Sequence, residues 1–301
     1  MADDEWDAPD FSDETLPVLR PRFAERRATM AHPMEVAGRS DVGCVRSHNE
    51  DTFVIADLGR SLDVLDTSLA VPSASKRIAG PKGTLMMVAD GMGGHGGGEV
   101  ASAVAVDTVA QFALYAMPWM AQPDEEAEKK LLKQLGGAMT QCQERLQRVA
   151  VRKHIDQLKP GTTLTVAYAL WPKLYVAHAG DSRLYLHRDG QLIQITSDHT
   201  VGQTLRDQGA LGEGPSRFDH ILVNVVGGGG EGVECEAHAL TLRPGDRVLL
   251  CSDGLTGHVS DRALLEELNT TDSSSRACER LITAAKDGGG HDNITVVIAS
   301  F

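Results

Sequence analysis

The sequence is sparing with cysteine and has none in a Cys-x-x-Cys pair. Cys44, Cys142, Cys235, Cys251 and Cys278 are odd in number and scattered. That excludes a dense disulfide framework and a thiolate zinc site, and points to reduced thiols in a cytosolic protein. Positive charge is also short. The 29 Lys+Arg stand against 42 Asp+Glu, for a net charge of -13. Gripping a nucleic-acid backbone or an anionic membrane surface calls for clustered bases, so neither is expected as a partner. No apolar run reaches the length of a membrane span. The longest, Ala101 to Ala121, is broken by Asp107 and Gln111 and reaches Pro118 before it ends. The start, Met-Ala-Asp-Asp-Glu-Trp-Asp, is the reverse of the basic opening of a secretory signal, so the expected location is the cytoplasm. If the substrate carries phosphate, this acidic chain needs a bound divalent cation to neutralise it.

What is present is a chain of 301 residues, enough for a large buried core. Residues 1–15 carry seven acids and no base, and the next stretch switches sign with Arg20, Arg22, Arg26 and Arg27. Such segregated charge predicts a disordered tail over residues 1–34, ahead of a domain over 35–301. Within that domain the pattern is mixed. Val42–Ile55 reads as a strand interrupted by a polar turn, and Thr84–Ala89 as a short buried strand. Helices are expected over about 98–115 and 124–154, the second weakened by Gly136-Gly137. The second half alternates strands with turns. Asp189-Gly190 marks a type I′ hairpin, and further strands are expected near 221–226, 233–241 and 246–251. Two short helices near 260–269 and 273–286 precede a last strand over 293–299. Ser73–Gly80 and Gly227–Gly230 read as flexible loops. Strand blocks with helices inserted between them argue for an α+β fold over regular βαβ alternation.

The loop Asp90-Gly91-Met92-Gly93-Gly94-His95-Gly96-Gly97-Gly98 contains G-x-G-x-x-G between a strand and a helix. A dinucleotide site fits poorly, because Asp90 at the loop mouth would repel a pyrophosphate and the chain does not go on as βαβ. The alternative makes Asp90 the functional group, with glycines letting backbone carbonyls approach it. Further acids then belong at strand ends, and they are there: Asn49-Glu50-Asp51, Gly180-Asp181, Ser252-Asp253-Gly254 and His291-Asp292-Asn293. Any single Asp-Gly is usually just a turn. Several acids converging in a partly dry site would repel one another unless they hold cations. Oxygen ligands without paired Cys or His favour Mg²⁺ or Mn²⁺.

The ordered set Asp41-x-Gly43-x-x-Arg46-x-x-Asn49-Glu50-Asp51, Asp90-Gly91-Met92-Gly93-Gly94, Gly161-Thr162-Thr163, Gly180-Asp181-Ser182-Arg183, Ser252-Asp253-Gly254 and Asp292-Asn293 resembles the metal-dependent protein phosphatases, also called protein phosphatase type 2C, in their bacterial branch. The resemblance covers residues 37–301. It implies a four-layer αββα sandwich, two antiparallel sheets flanked by helices, with a binuclear Mn²⁺/Mg²⁺ site at one edge. It implies that Asp90 bridges both ions and that Asp253 and Asp292 complete the first. The Gly91 carbonyl, with Glu50 and Asp51 directly or through water, would hold the second, and Asp181 a weaker third. A hydroxide shared by two cations would attack phosphorus with no phospho-enzyme intermediate, and Arg46 would grip the phosphate through its planar fork. The implied substrates are phosphoserine and phosphothreonine on proteins, placed there by a kinase of the same cell. A binder without catalysis would have no reason to keep so charge-crowded a cleft.

The chain also departs from the pattern. Where many animal and plant relatives carry a histidine two residues after the bridging Asp, this chain has Met92, whose thioether donates no proton. His95 is nearby, though a plain loop residue is the simpler reading of it. Residues 198–230 occupy the place of the family's variable flap. They open on Asp198-His199-Thr200, and Phe218–Asn224 then lacks the expected basic stretch, which bears on substrate choice.

Overall fold

The computed structural model describes residues 34–63, 76–93, 96–116, 125–212, 214–230 and 232–301, and over 60–63 and 76–82 the backbone alone. His95 and the tail expected over 1–34, apart from Met34, lie outside these residues. The first half runs β1 (Glu35–Asp41), β2 (Thr52–Asp63), β3 (Lys76–Ala89), β4 (Gly91–Met92), α1 (Gly97–Ala116) and α2 (Glu125–Lys153). Next come β5 (Gly161–Thr162), β6 (Leu164–Leu170), β7 (Lys173–Ala179), β8 (Arg183–Arg188), β9 (Gln191–Gln194), α3 (Val201–Asp207) and β10 (Val226–Gly227). The chain closes with β11 (Glu236–Thr241), β12 (Arg247–Cys251), α4 (Asp253–Thr256), α5 (Asp261–Thr270), α6 (Ser274–Asp287) and β13 (Ile294–Ser300).

Two five-stranded antiparallel sheets carry the fold, in the orders β1-β13-β12-β8-β9 and β11-β7-β6-β3-β2. Side chains alternate across a strand, so each strand feeds two cores. In β12, Val248 and Leu250 face the other sheet, while Leu249 and Cys251 face helices. In β3, Met86 and Val88 point inward, while Leu85, Met87 and Ala89 point out. The inner set forms the core between the sheets. The outer face of the second sheet is covered by α1 and α2 through Ala105, Val109, Leu135 and Met139. The outer face of the first is covered by α5 and α6 through Leu264, Leu268, Leu281 and Ile282. Burial on both faces explains why these strands read as continuous apolar runs. The result is the expected α+β layering of helix, sheet, sheet and helix.

The register brings the strand ends that matter to one edge. Asp41 pairs with Ile294, and Cys251 pairs with both Val296 and Arg183. In the other sheet Thr52 pairs with Ala89, Val88 with Thr165, and Leu164 with Ala179. Residues just beyond these pairs, including Glu50, Asp90, Asp181, Asp253 and Asp292, therefore share that edge.

Several local expectations change. Residues 42–51 are not strand: β1 ends at Asp41 and β2 begins at Thr52. Ser73–Gly80 is not all loop, because β3 starts at Lys76 and pairs with β2. Helix α2 runs through Gly136-Gly137 because its apolar stripe, from Leu131 to Ala150, is buried along its length. Only Val226 of the expected 221–226 strand belongs to a named strand, and Leu222 makes an isolated bridge to Thr200. Gly227–Gly230 is a built turn: Gly227 pairs with Gly161, and its amide donates to the Gln143 side chain. The Asp189-Gly190 hairpin has positive φ at both residues, 52° and 71°, as a type I′ turn requires.

Leu249 is fully buried between β12 and the helices over it. Leu249→Ala should cost about 2–5 kcal/mol of unfolding free energy in a urea titration. Val223→Ala, at a side chain 58% exposed, should change it by less than about 0.5 kcal/mol. Equal effects would contradict this core assignment.

Candidate metal centre

Arg46, Glu50, Asp90, Gly91, Asp181, Asp253 and Asp292 line one cavity of about 280 Å³ at the shared sheet edge. Asp51 is the exception among the expected residues: it lies buried, with Ser252 Oγ donating to its Oδ2 at 2.7 Å.

Each acid is held by its backbone neighbours. Asp90 follows β3, and its N–H donates to Thr163 Oγ1 at 2.9 Å. Its carbonyl accepts from the Thr163 N–H at 2.9 Å and from Thr162 Oγ1 at 2.8 Å. The Gly-Thr-Thr motif thus clamps Asp90 from both sides. Asn293 does the same for the β1–β2 connection. Its Oδ1 accepts from the Glu50 N–H at 2.8 Å, and its Nδ2 donates to the carbonyls of Val42 and His48 at 3.0 and 2.9 Å. Two glycines are required by close approach. A Cβ on Gly91 would stand 2.2 Å from the Gly98 carbonyl oxygen, and one on Gly254 would stand 2.0 Å from the Asn293 carbonyl oxygen.

The charge arrangement is strained as it stands. Burial, then repulsion from Asp51, Asp253 and Asp181, holds the Asp90 carboxyl well above the usual carboxylate range. Burial also pushes Asp51 up to about 7, with Asp253 and Asp292 adding repulsion. Asp181 rises to about 8 from burial and from the Asp253 and Asp198 charges. Asp253 is raised by burial and by Asp292, although a hydrogen bond with Asp90 opposes the rise. Asp51 Oδ1 and Asp253 Oδ1 are buried without a hydrogen-bond partner. Mutually repelling, under-bonded carboxylate oxygens fit a hard divalent cation such as Mg²⁺ or Mn²⁺, and the cavity they share is also lined by Met92 and His220. At the rim, one Arg46 guanidinium nitrogen sits 2.7 Å from Asp292 Oδ2.

Residues 77–289 match the family model described as Protein phosphatase 2C. The chain belongs to that family. It is 37% identical over 268 residues to the serine/threonine protein phosphatase PstP of Mycobacterium tuberculosis H37Rv, an alignment covering 88% of this chain and 45% of that protein. It therefore spans about half the length of that relative. The serine/threonine phosphatase Stp of Listeria innocua is 29% identical over 278 residues, covering 88% of this chain and 95% of that protein. Among solved structures, the M. tuberculosis phosphatase PstP/Ppp aligns with a TM-score of 0.69 at 34% identity, over 89% of this chain and 98% of that one. A PstP catalytic domain in complex with 2 manganese ions aligns with a TM-score of 0.65 at 35% identity, over 89% and 97% of the two chains.

This protein phosphatase 2C family member also has a hydrogen-bonded strut beside Asp181 that the sequence did not disclose. Arg183, two residues on, holds Asp198 with both prongs of its guanidinium, at 2.8 and 2.6 Å. His178, buried in β7, faces the carbonyls of Gly180 and Ser197 with Nε2 and the Thr165 hydroxyl with Nδ1. Burial and the neighbouring His199 lower its pKa to about 4, so it stays neutral. His199 Nδ1 accepts from the Gly180 N–H and the Asn224 amide, which leaves Nε2–H for Glu236 at 3.2 Å. Burial alone would raise Glu236, but donation from His199, His238 and the Ser197 N–H holds it down at about 2. His178, His199 and Glu236 have metal-ligand chemistry at close range, yet their nitrogens and oxygens are already committed to one another and to the backbone. The network ties the turn bearing Asp181 to the flap. A histidine centred in an apolar strand, as in Ala177-His178-Ala179, was the available signal.

The raised carboxyls predict a pH effect on the metal-free protein. In the folded chain Asp51 and Asp181 keep protons to about pH 7 and 8, whereas the unfolded chain releases them near 3.8. Folding is therefore favoured below the unfolded value, and that advantage is lost as pH rises through the folded ones. Calorimetry in EDTA should show Tm falling between pH 5.5 and 8.5, with a shallower slope in Asp181→Asn. A slope unaltered by this substitution would contradict the charge crowding at Asp181.

Proposed function

We propose that this chain hydrolyses phosphoserine and phosphothreonine on proteins, with divalent cations held by the carboxylates of the sheet edge. The supporting observation is that mutually repelling carboxylates, Asp253 with an unpaired Oδ1 among them, share one cavity with a rim arginine, in a chain of the protein phosphatase 2C family. Asp90 is the central ligand, joined by Asp253 and Asp292 on one side and by the Gly91 carbonyl and Glu50 on the other. Asp51, beneath the cavity and bonded to Ser252, supports this second group. Asp181 serves a weaker third position. Mn²⁺ and Mg²⁺ both suit this donor set. Bound there, two such ions would lower the pKa of water between them and neutralise the phosphate oxygens.

The remaining work belongs to the chain itself. Arg46 offers two parallel N–H groups to the phosphate, which matches its geometry and keeps its charge at any working pH. It pairs with Asp292; were Asp292 to hold a cation instead, the guanidinium would be free to face substrate. Thr163 and Asn293 fix the backbone that carries Asp90 and Glu50. With direct attack by water, no side chain forms a phosphoryl bond. The expected substrates are proteins phosphorylated by a serine/threonine kinase of the same cell, and the expected place is the cytoplasm. Residues 35–301 would form the catalytic domain and residues 1–34 a tail. Among the described residues no helix is long and apolar enough to cross a membrane.

Two measurements test this reading. Hydrolysis of a phosphothreonine peptide should vanish in EDTA and return with Mn²⁺, and Asp253→Asn and Asp292→Asn should each lower turnover strongly. Activity in excess chelator would contradict it. Arg46→Ala should lower kcat/KM about tenfold to a hundredfold, since a charge-assisted contact contributes about 1.5–3 kcal/mol. Arg46→Lys should recover part of that, and inorganic phosphate should inhibit Arg46→Ala more weakly. An unchanged kcat/KM would make Arg46 an ordinary turn residue.

A further inference from the structure

Hydrolysis of a phosphoserine or phosphothreonine leaves one proton to be supplied. When the P–O bond breaks, its electron pair stays on the side-chain oxygen, and an unprotonated alkoxide is a poor leaving group. The side chains around the cavity divide by what they can give. The carboxylates are engaged as cation ligands, and Arg46 does not release its proton. Met92 and Leu222 carry none. The Thr163 hydroxyl is committed to the Asp90 amide and to Ser182 Oγ. Among the described residues lining the cavity, His220 alone has a side chain of the type that holds and releases a proton near neutral pH.

His220, exposed at the cavity, belongs to the flap segment that lacks the expected basic stretch, and the fold holds the backbone on either side of it. The Gly202 N–H donates to the Phe218 carbonyl at 3.0 Å, and the Val201 N–H to the Ile221 carbonyl at 2.8 Å. The Val223 N–H donates to the His199 carbonyl at 2.9 Å. Asp219 accepts from Arg206 at 2.9 Å and from the Ser216 N–H at 2.7 Å. The backbone on both sides of His220 is thus fixed through the start of α3, and that start is anchored by His199 to the turn bearing Asp181. The positive form of His220 is near enough to Asp253 to favour that carboxylate.

We propose that His220 is the general acid of this chain, protonating the departing serine or threonine oxygen; the assignment rests on the phosphatase reading above. One ring N–H bond breaks, its electron pair stays on nitrogen, and the proton joins the oxygen leaving phosphorus. The water oxygen forms the new P–O bond and keeps one proton, while its other proton passes to solvent. Solvent returns a proton to the ring, so the sum is phosphoester plus water giving alcohol plus hydrogen phosphate.

The test compares leaving groups. Wild type, His220→Gln and His220→Ala, each saturated with Mn²⁺, are assayed on a phosphothreonine peptide and on p-nitrophenyl phosphate, whose phenolate leaves without help. On the peptide, kcat should fall about a hundredfold in both variants, in the range general acids contribute, against a few-fold on p-nitrophenyl phosphate. Equal losses on both substrates would reduce His220 to a positioning residue and overturn the proposal, as would no loss on the peptide. A peptide-selective loss in His95→Gln with none in His220→Gln would also overturn it. If wild type with Mn²⁺ turns over neither substrate, the phosphatase reading itself fails.

Discussion

Carboxylates buried against one another set the constraint on which this structure depends. Asp51 and Asp181 are buried and Asp90 and Asp253 half-buried, and each is driven toward its protonated form by burial and by neighbouring carboxylates. A chain gains nothing in stability from such an arrangement, since like charges in a partly dry site oppose folding. It persists because the surrounding structure over-determines it. Two antiparallel sheets meet with the relevant strand ends at one edge, and the apolar cores on either side of each sheet supply the stability that the edge lacks.

The residues around the acids serve that arrangement. Thr162 and Thr163 pin the Asp90 backbone, Asn293 straps the loop bearing Glu50, and Ser252 bonds Asp51. Gly91 and Gly254 let backbones approach more closely than a Cβ would allow. Opposite, Arg183 with Asp198 and His199 with Glu236 brace the turn of Asp181 and the start of the flap. Each contact is modest; together they fix several backbone segments relative to one another without placing a further charge in the cavity.

Much of this was legible in the sequence, because strand-end acids follow apolar runs that are easy to see. Asp90 and Asp292 each stand at a junction of strand and loop and Asp253 between β12 and the short α4, and the helices over 97–116 and 274–287 follow from their apolar faces. What escaped was set by long-range contact. Asp51 could not be separated from Glu50, because adjacent residues differ only in which way the turn points them. Helix α3 is short, and its N-cap at Thr200 reads like part of a loop. Gly227–Gly230 reads as flexible, yet Gln143 from α2 and Gly161 from β5 hold it. His220 carried no local signal, since only the bonds from α3 bring it to the acids.

The central claim is that the carboxylate edge exists to hold divalent cations. Crystals soaked in Mn²⁺ and measured for anomalous scattering at the manganese absorption edge test it most directly. The account predicts two strong peaks flanking Asp90, one toward Asp253 and Asp292 and one toward Glu50 and the Gly91 carbonyl, with a weaker peak near Asp181. A fully soaked crystal with no anomalous peak within bonding distance of Asp90 would contradict it.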